Sequence, residues 1–232
     1  MNRLLLNRAQ LLALSIAIAL PLAAISTPAS ACSAHATPVA YSSMAHEHMA
    51  MAPAPSPLAQ TLRTLWLGHV EATRVYLFAA HDHNAAKSKA AADQVVANAK
   101  QIAGAVGSFY GAAAGDQMLT LLAGHWGAVK AYTDSTFAHD DAGRTQAIQN
   151  LNANAKAIAD FLSGANPNLP QPVLLSLLAG HGAHHIAQIQ QVEAGDIAGE
   201  AKTWEAMRAH MIVIADALAA GIAKQFPDKV KV

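Results

Sequence analysis

An apolar triplet followed by Gly-His occurs three times in this chain, as Leu65-Trp66-Leu67-Gly68-His69, Leu121-Leu122-Ala123-Gly124-His125 and Leu177-Leu178-Ala179-Gly180-His181. The spacing is 56 residues both times, with no insertion between copies. A fixed period of this length points to structural units of equal size, each of which buries its apolar face against its neighbours. The same register carries Asn98-Ala99-Lys100-Gln101-Ile102-Ala103 onto Asn154-Ala155-Lys156-Ala157-Ile158-Ala159 and then onto His210-Met211-Ile212-Val213-Ile214-Ala215.

Within a unit, apolar residues recur at helical spacing on both sides of a turn signal. Turn residues sit midway in each copy, at Asp82-His83-Asn84, Asp140-Asp141-Ala142-Gly143 and Ala194-Gly195-Asp196. Between units come Tyr110-Gly111 and Asn166-Pro167-Asn168-Leu169-Pro170, and Phe226-Pro227 closes the last. The pattern predicts an all-α fold of three tandem 56-residue helical hairpins, over about 58–111, 112–167 and 168–228, forming a six-helix antiparallel bundle or a short solenoid. The helical domain as a whole is expected over 58–228. Hydrophobic residues make up 53% of the 232 residues and aromatics only 5%, so Ala, Leu, Ile and Val must build the core. Ala-rich interfaces let helices approach closely.

Residues 1–31 read as a signal peptide: Arg3 and Arg8, the apolar run Leu11–Ile25, and the small-residue site Ala29-Ser30-Ala31. An exported, periplasmic product is therefore expected. Cleavage after Ala31 would put Cys32, the single cysteine, first in the mature chain, where a bacterial lipoprotein carries its lipid. Contact with a membrane is expected only if Cys32 is lipidated. One cysteine excludes an internal disulfide and a four-cysteine zinc site. Charges balance at 15 against 15 and make up only 13% of the chain, which leaves no cationic footprint for nucleic acid.

Residues 32–57 read as a flexible linker rich in Met and His. Met44, His46, His48, Met49 and Met51 combine thioether and imidazole, a donor set suited to copper, and are the candidate auxiliary metal site.

On the hairpins, His69 and Asn98 lie nearly equal distances either side of their turn, as do His125 and Asn154, and all four fall on apolar stripes. A buried imidazole or amide must be satisfied by a partner, trapped water or ligand. Two readings of this buried polar layer follow. In one, each His hydrogen-bonds the facing Asn and fixes helix register; in the other, the three units bring their His residues to a shared layer that holds a metal ion or small molecule.

The third unit departs from the others. His210 replaces the Asn, and His184 and His185 stand where earlier units have Ala72 with Thr73 and Ala128 with Val129. His181 and His185, at i and i+4, share a helix face, and His210 faces them from the opposite helix. His181, His185, His210 and His184 are accordingly the candidate ligands for zinc or copper. No Glu-x-x-His occurs, so a carboxylate-bridged di-iron site is not supported, and hydrolase and phosphate-binding motifs are absent. Asp160 and Asp216 lie off the core stripe and are expected at the surface or between hairpins, and Arg74 and Lys130 are expected to be solvated.

The stretch Asn154–Pro167, the Leu177–His181 motif and the segment Ala215–Pro227 together resemble a family of uncharacterised bacterial helical proteins, over roughly residues 60–227. That family brings no established reaction or cofactor. The resemblance implies that any shared function belongs to His69, Asn98, His125, Asn154, His181 and His210. The expectation is a non-catalytic, exported helical protein that binds copper or zinc through core-facing His residues. The alternatives are an interaction scaffold whose His/Asn pairs are purely structural, and a binder of a small molecule or non-covalent haem.

Overall fold

The computed structural model describes residues 54–230. The signal-peptide region 1–31, Cys32 and the Met44–Met51 tract lie outside the described residues, as does most of the expected linker. Six helices account for the fold: α1 (Pro57–His81), α2 (Ala85–Tyr110), α3 (Ala112–Phe137), α4 (Asp141–Ala165), α5 (Gln171–Glu193) and α6 (Ile197–Gln225). Their lengths run from 23 to 29 residues.

Side-chain caps explain where α1, α2, α4 and α6 begin. Ser56 caps α1 by accepting from the Ala59 amide, and Pro57 occupies the first turn, where its missing N–H costs nothing. Asn84, Asp140 and Asp196 cap α2, α4 and α6, each accepting from the amide three residues on. Before each of these caps, one residue turns the chain through the left-handed region: His83 and His139, both at φ 53°, and Gly195 at φ 70°. Only Gly195 adopts that conformation without side-chain cost. Gly111, at φ 93°, joins α2 to α3 with no intervening loop. Close by, Gly107 and Gly115 let those helices touch through backbone; a Cβ on Gly115 would stand 3.0 Å from the Ala103 carbonyl.

Each helix packs against the next, and α6 returns to α1. The six helices therefore close into a bundle, with no open solenoid end among the described residues. Around that ring the odd-numbered helices also touch one another, so α1, α3 and α5 form an inner trio. The α4–α5 connection is anchored by Asn166, which is fully buried, donates to the Tyr110 hydroxyl at 2.8 Å and accepts from the Asn168 amide.

Two apolar blocks fill the interior. One includes Leu62, Trp66, Ile102, Met118, Leu122, Met207, Met211 and Leu218. The other includes Leu77, Val129, Tyr132, Leu151, Ile189 and Val192. Along α3 and α5 the motif histidine falls between the two blocks, so a polar layer interrupts the core. The long apolar helix α6 has the length and hydropathy of a membrane span, but Met207, Met211, Ile214, Leu218 and Ile222 on it are core residues of the bundle.

Candidate metal centre

The inner trio brings four imidazoles together. His69 from α1, His125 from α3, and His181 and His185 from α5 each present a ring nitrogen, and these atoms all lie within 4.8 Å of one another. All four are buried, with 2%, 6%, 3% and 4% of their surface exposed. His181 and His185 are one turn apart on α5, and their Nε2 atoms are separated by 3.1 Å. Their ring centroids are 4.5 Å apart, and His125 stacks on His181 at 5.3 Å. His69 completes the group at 5.8 Å from His125 and 6.0 Å from His181.

Among the described residues, His69 Nδ1, His125 Nε2 and His181 Nδ1 are buried without a hydrogen-bond partner. Leaving such an atom unsatisfied costs about 1–3 kcal/mol. Burial also sets the protonation state. It pushes the His69 imidazole down to about 3, with the neighbouring His125 adding a smaller push, and lowers His125 to about 4. His181 and His185 are held well below the ordinary histidine value, first by burial and then by the surrounding imidazoles. At neutral pH all four rings are therefore uncharged, and each keeps one lone pair on a ring nitrogen.

The Asn residues do not meet the His side chains. Asn98 Nδ2 donates to the Leu65 carbonyl at 2.9 Å, Asn154 Nδ2 to the Leu121 carbonyl at 2.9 Å, and His210 Nε2 to the Leu177 carbonyl at 2.8 Å. Each acceptor lies four residues before a motif histidine, so the amide uses the spare lone pair of a helical carbonyl. The glycine of the motif makes room for this contact. A Cβ would stand 3.3 Å from Asn98 Nδ2 at Gly68, 2.9 Å from Asn154 Nδ2 at Gly124 and 3.2 Å from the His210 ring at Gly180. The expected His–Asn hydrogen bonds are thus replaced by amide-to-backbone bonds. These pin neighbouring helices together while the imidazoles turn toward the bundle axis.

Of the four residues expected to share an ion, His181 and His185 belong to the buried group, whereas His184 and His210 do not. Those two pair with each other instead, at a centroid separation of 5.4 Å, and both are partly exposed. His69 and His125, read from sequence as members of the polar layer, complete the group.

An ion pair with a buried carboxylate adjoins the centre. Glu200 is fully buried on α6 and accepts two hydrogen bonds from Arg74, at 2.7 and 2.6 Å, and one from Gln188 Nε2 at 2.8 Å. Arg74, expected to be solvated, is instead held by this carboxylate and lies over the Trp204 ring at 4.8 Å. A small cavity of about 10 Å³ is lined by His185, Gln188, Thr73 and Thr133, so the ion pair borders the imidazole layer. Glu200 went unnoticed in the sequence, although it stands seven residues before Met207 on the apolar stripe of α6. Asp216 pairs with Arg63 across α6 and α1, and Asp160 with Lys156 along α4, in line with their expected positions. Lys130 pairs with Asp134 on α3.

No protein-family model, curated protein or solved structure matches the chain. The chemistry of the centre is accordingly read from its own geometry.

Proposed function

We propose that the protein binds one transition metal ion, copper or zinc, at the four-imidazole centre of His69, His125, His181 and His185, without catalytic turnover. The single observation that carries this reading is the convergence of four buried imidazoles from three helices, their ring nitrogens all within 4.8 Å of one another, with His69 Nδ1 and His125 Nε2 left without a hydrogen-bond partner. Apolar side chains would fill the same layer at less cost, and a register-fixing polar layer would satisfy its own hydrogen bonds. Imidazole suits zinc and copper, and metal–nitrogen bonds of about 2.0–2.1 Å place tetrahedral ligands roughly 3.3 Å apart. The 3.1 Å separation of the His181 and His185 nitrogens is close to that value.

Direct packing of the rings favours a single ion over a porphyrin. His125 stacks on His181 at a tilt of only 24°, with no slot for a macrocycle between them. Four protein ligands also leave no coordination position free for a substrate, which supports a storage, transfer or structural role.

The reading is tested by metal analysis of protein purified without an affinity tag, before and after exposure to zinc or copper(I). About one tightly held ion per chain is expected, lost in a His125→Ala, His181→Ala double variant that keeps its helical circular dichroism. Parent protein that retains no ion after desalting would overturn it.

A further inference from the structure

The buried centre needs a way in. Its four rings are nearly solvent-free, yet an ion must reach them from water. Corresponding positions in the three hairpins show where the third differs. Ala72, Ala128 and His184 share one position, and Asn98, Asn154 and His210 share another. The two departures meet in space: the His184 and His210 rings face each other in a T-shaped arrangement at 5.4 Å.

Folding does not require imidazole at either place. Asn98 and Asn154 make the same bond to a helical carbonyl that His210 makes. Because a carbonyl can only accept, His210 carries its proton on Nε2, which leaves Nδ1 with a lone pair. His184 adds a second imidazole, and both rings are partly exposed. This pair also touches the centre through the backbone. His184 directly precedes His185, and the His210 ring lies against Gly180, which directly precedes His181. Each member of the surface pair therefore meets α5 one residue before a ligand of the buried group.

We propose that His184 and His210 form a surface loading station that captures a hydrated transition metal ion and passes it to the buried imidazoles. This rests on the four-imidazole reading above. Two protein ligands with water in the remaining positions hold an ion weakly, which suits a site that must release it. In the transfer, bonds from the ion to His184 and His210 are replaced by bonds to His185 and His181, and then to His69 and His125. The remaining waters leave, the ion keeps its charge, and no redox partner is needed.

The test compares the full chain with a His184→Ala, His210→Asn double variant, which restores at both places the residues found in the first two hairpins and preserves the bond to the Leu177 carbonyl. Cobalt(II) uptake is followed by stopped-flow absorbance, and the final occupancy by equilibrium titration. The variant is expected to reach the same occupancy and affinity as the parent while loading at least tenfold more slowly. Equal loading rates in the two proteins, with the buried site filled in both, would overturn the station and leave the buried centre standing. A parent that takes up no cobalt at all would overturn the centre itself, and the station with it. A His184→Gln, His210→Asn variant serves as the second comparison: it keeps a polar side chain at 184, and equally slow loading there ties the effect to the imidazoles.

Discussion

The Nε2 atoms of His181 and His185 stand 3.1 Å apart on successive turns of α5, inside a core that excludes solvent. Without an ion, one ring must donate the proton and the other accept it. An ion bonded to both at about 2.05 Å would subtend an angle of about 100°, near the tetrahedral value. This relationship, extended by His69 and His125, is the basis of the chelate we propose on the inner helices.

Metal binding should stabilise the bundle, because the unfolded chain cannot assemble four ligands from three helices. At a free ion concentration 100 times Kd the gain is about 2.7 kcal/mol, which for a domain of this size raises Tm by roughly 5–10 °C. Differential scanning calorimetry with zinc and then with excess chelator is expected to show the rise and its reversal. A Tm indifferent to both would count against a preformed site.

Loss of one ligand should weaken binding more than loss of a supporting contact. His125→Ala is expected to lower affinity at least about 100-fold, beyond the 10–100-fold typical of outer-sphere partners. Asn154→Ala leaves all four imidazoles in place and should change affinity far less, while removing the hydrogen bond to Leu121. Competition against a chromophoric chelator measures both; equal losses would show that His125 is no ligand.

Metal-free protein should lose stability in acid over a defined window. Burial depresses the folded-state values of His69 to about 3 and His125 to about 4, whereas the unfolded chain protonates them near 6.5. Their contribution is complete above pH 6.5 and declines as pH falls toward 4, where the unfolded state binds protons that the folded state refuses. Each such group contributes a slope of about 1.4 kcal/mol per pH unit within the window. Urea titrations from pH 7.5 to 4.5 are expected to show this fall in the parent and a shallower one in a His69→Ala, His125→Ala variant. Parallel slopes would show that these rings titrate normally.

Two glycines on α3 separate packing from propensity. Nothing lies within 4 Å of a Cβ placed on Gly127, so Gly127→Ala should stabilise by about 0.5–1 kcal/mol through helix propensity alone. At Gly124 the Cβ would meet Asn154 Nδ2 at 2.9 Å and displace its hydrogen bond, so Gly124→Ala should be about 1–2 kcal/mol less stable than Gly127→Ala. Chemical denaturation gives the comparison, and equal effects would mean that Asn154 moves aside freely.

Burial of its carboxylate should set the Arg74–Glu200 pair apart from the Arg63–Asp216 pair. Arg74→Met strands a fully buried carboxylate and is expected to cost about 3 kcal/mol. Arg63→Met, whose partner Asp216 is 41% exposed, should cost much less. Denaturation midpoints that fall equally for both would contradict the distinction.

Helix number, hairpin order and turn positions were legible in the sequence because they rest on local chemistry: caps at Asn84, Asp140 and Asp196, and apolar spacing along each arm. The inward direction of His69, His125 and His181 was legible for the same reason, since each falls on an apolar stripe. What the sequence did not carry was docking. Whether α1, α3 and α5 form the inner trio depends on how hairpins close into a ring, and that decides whether His185 meets His125 or His210. The Asn partners were misassigned because helical register sets height but not reach. Asn154 stands level with His125, but its amide ends on the Leu121 carbonyl one turn away, through the gap that Gly124 provides. Glu200 escaped notice because a single acidic residue on an apolar stripe gives no hint of the arginine, 126 positions earlier, that neutralises it.

The most direct test of the central claim is X-ray absorption at the zinc edge of the full-length protein loaded with one equivalent of zinc. The expected spectrum shows four nitrogen ligands at about 2.0–2.1 Å with the outer-shell scattering of imidazole rings. Sulfur in the first coordination sphere, or fewer than three imidazoles around the ion, would contradict the account.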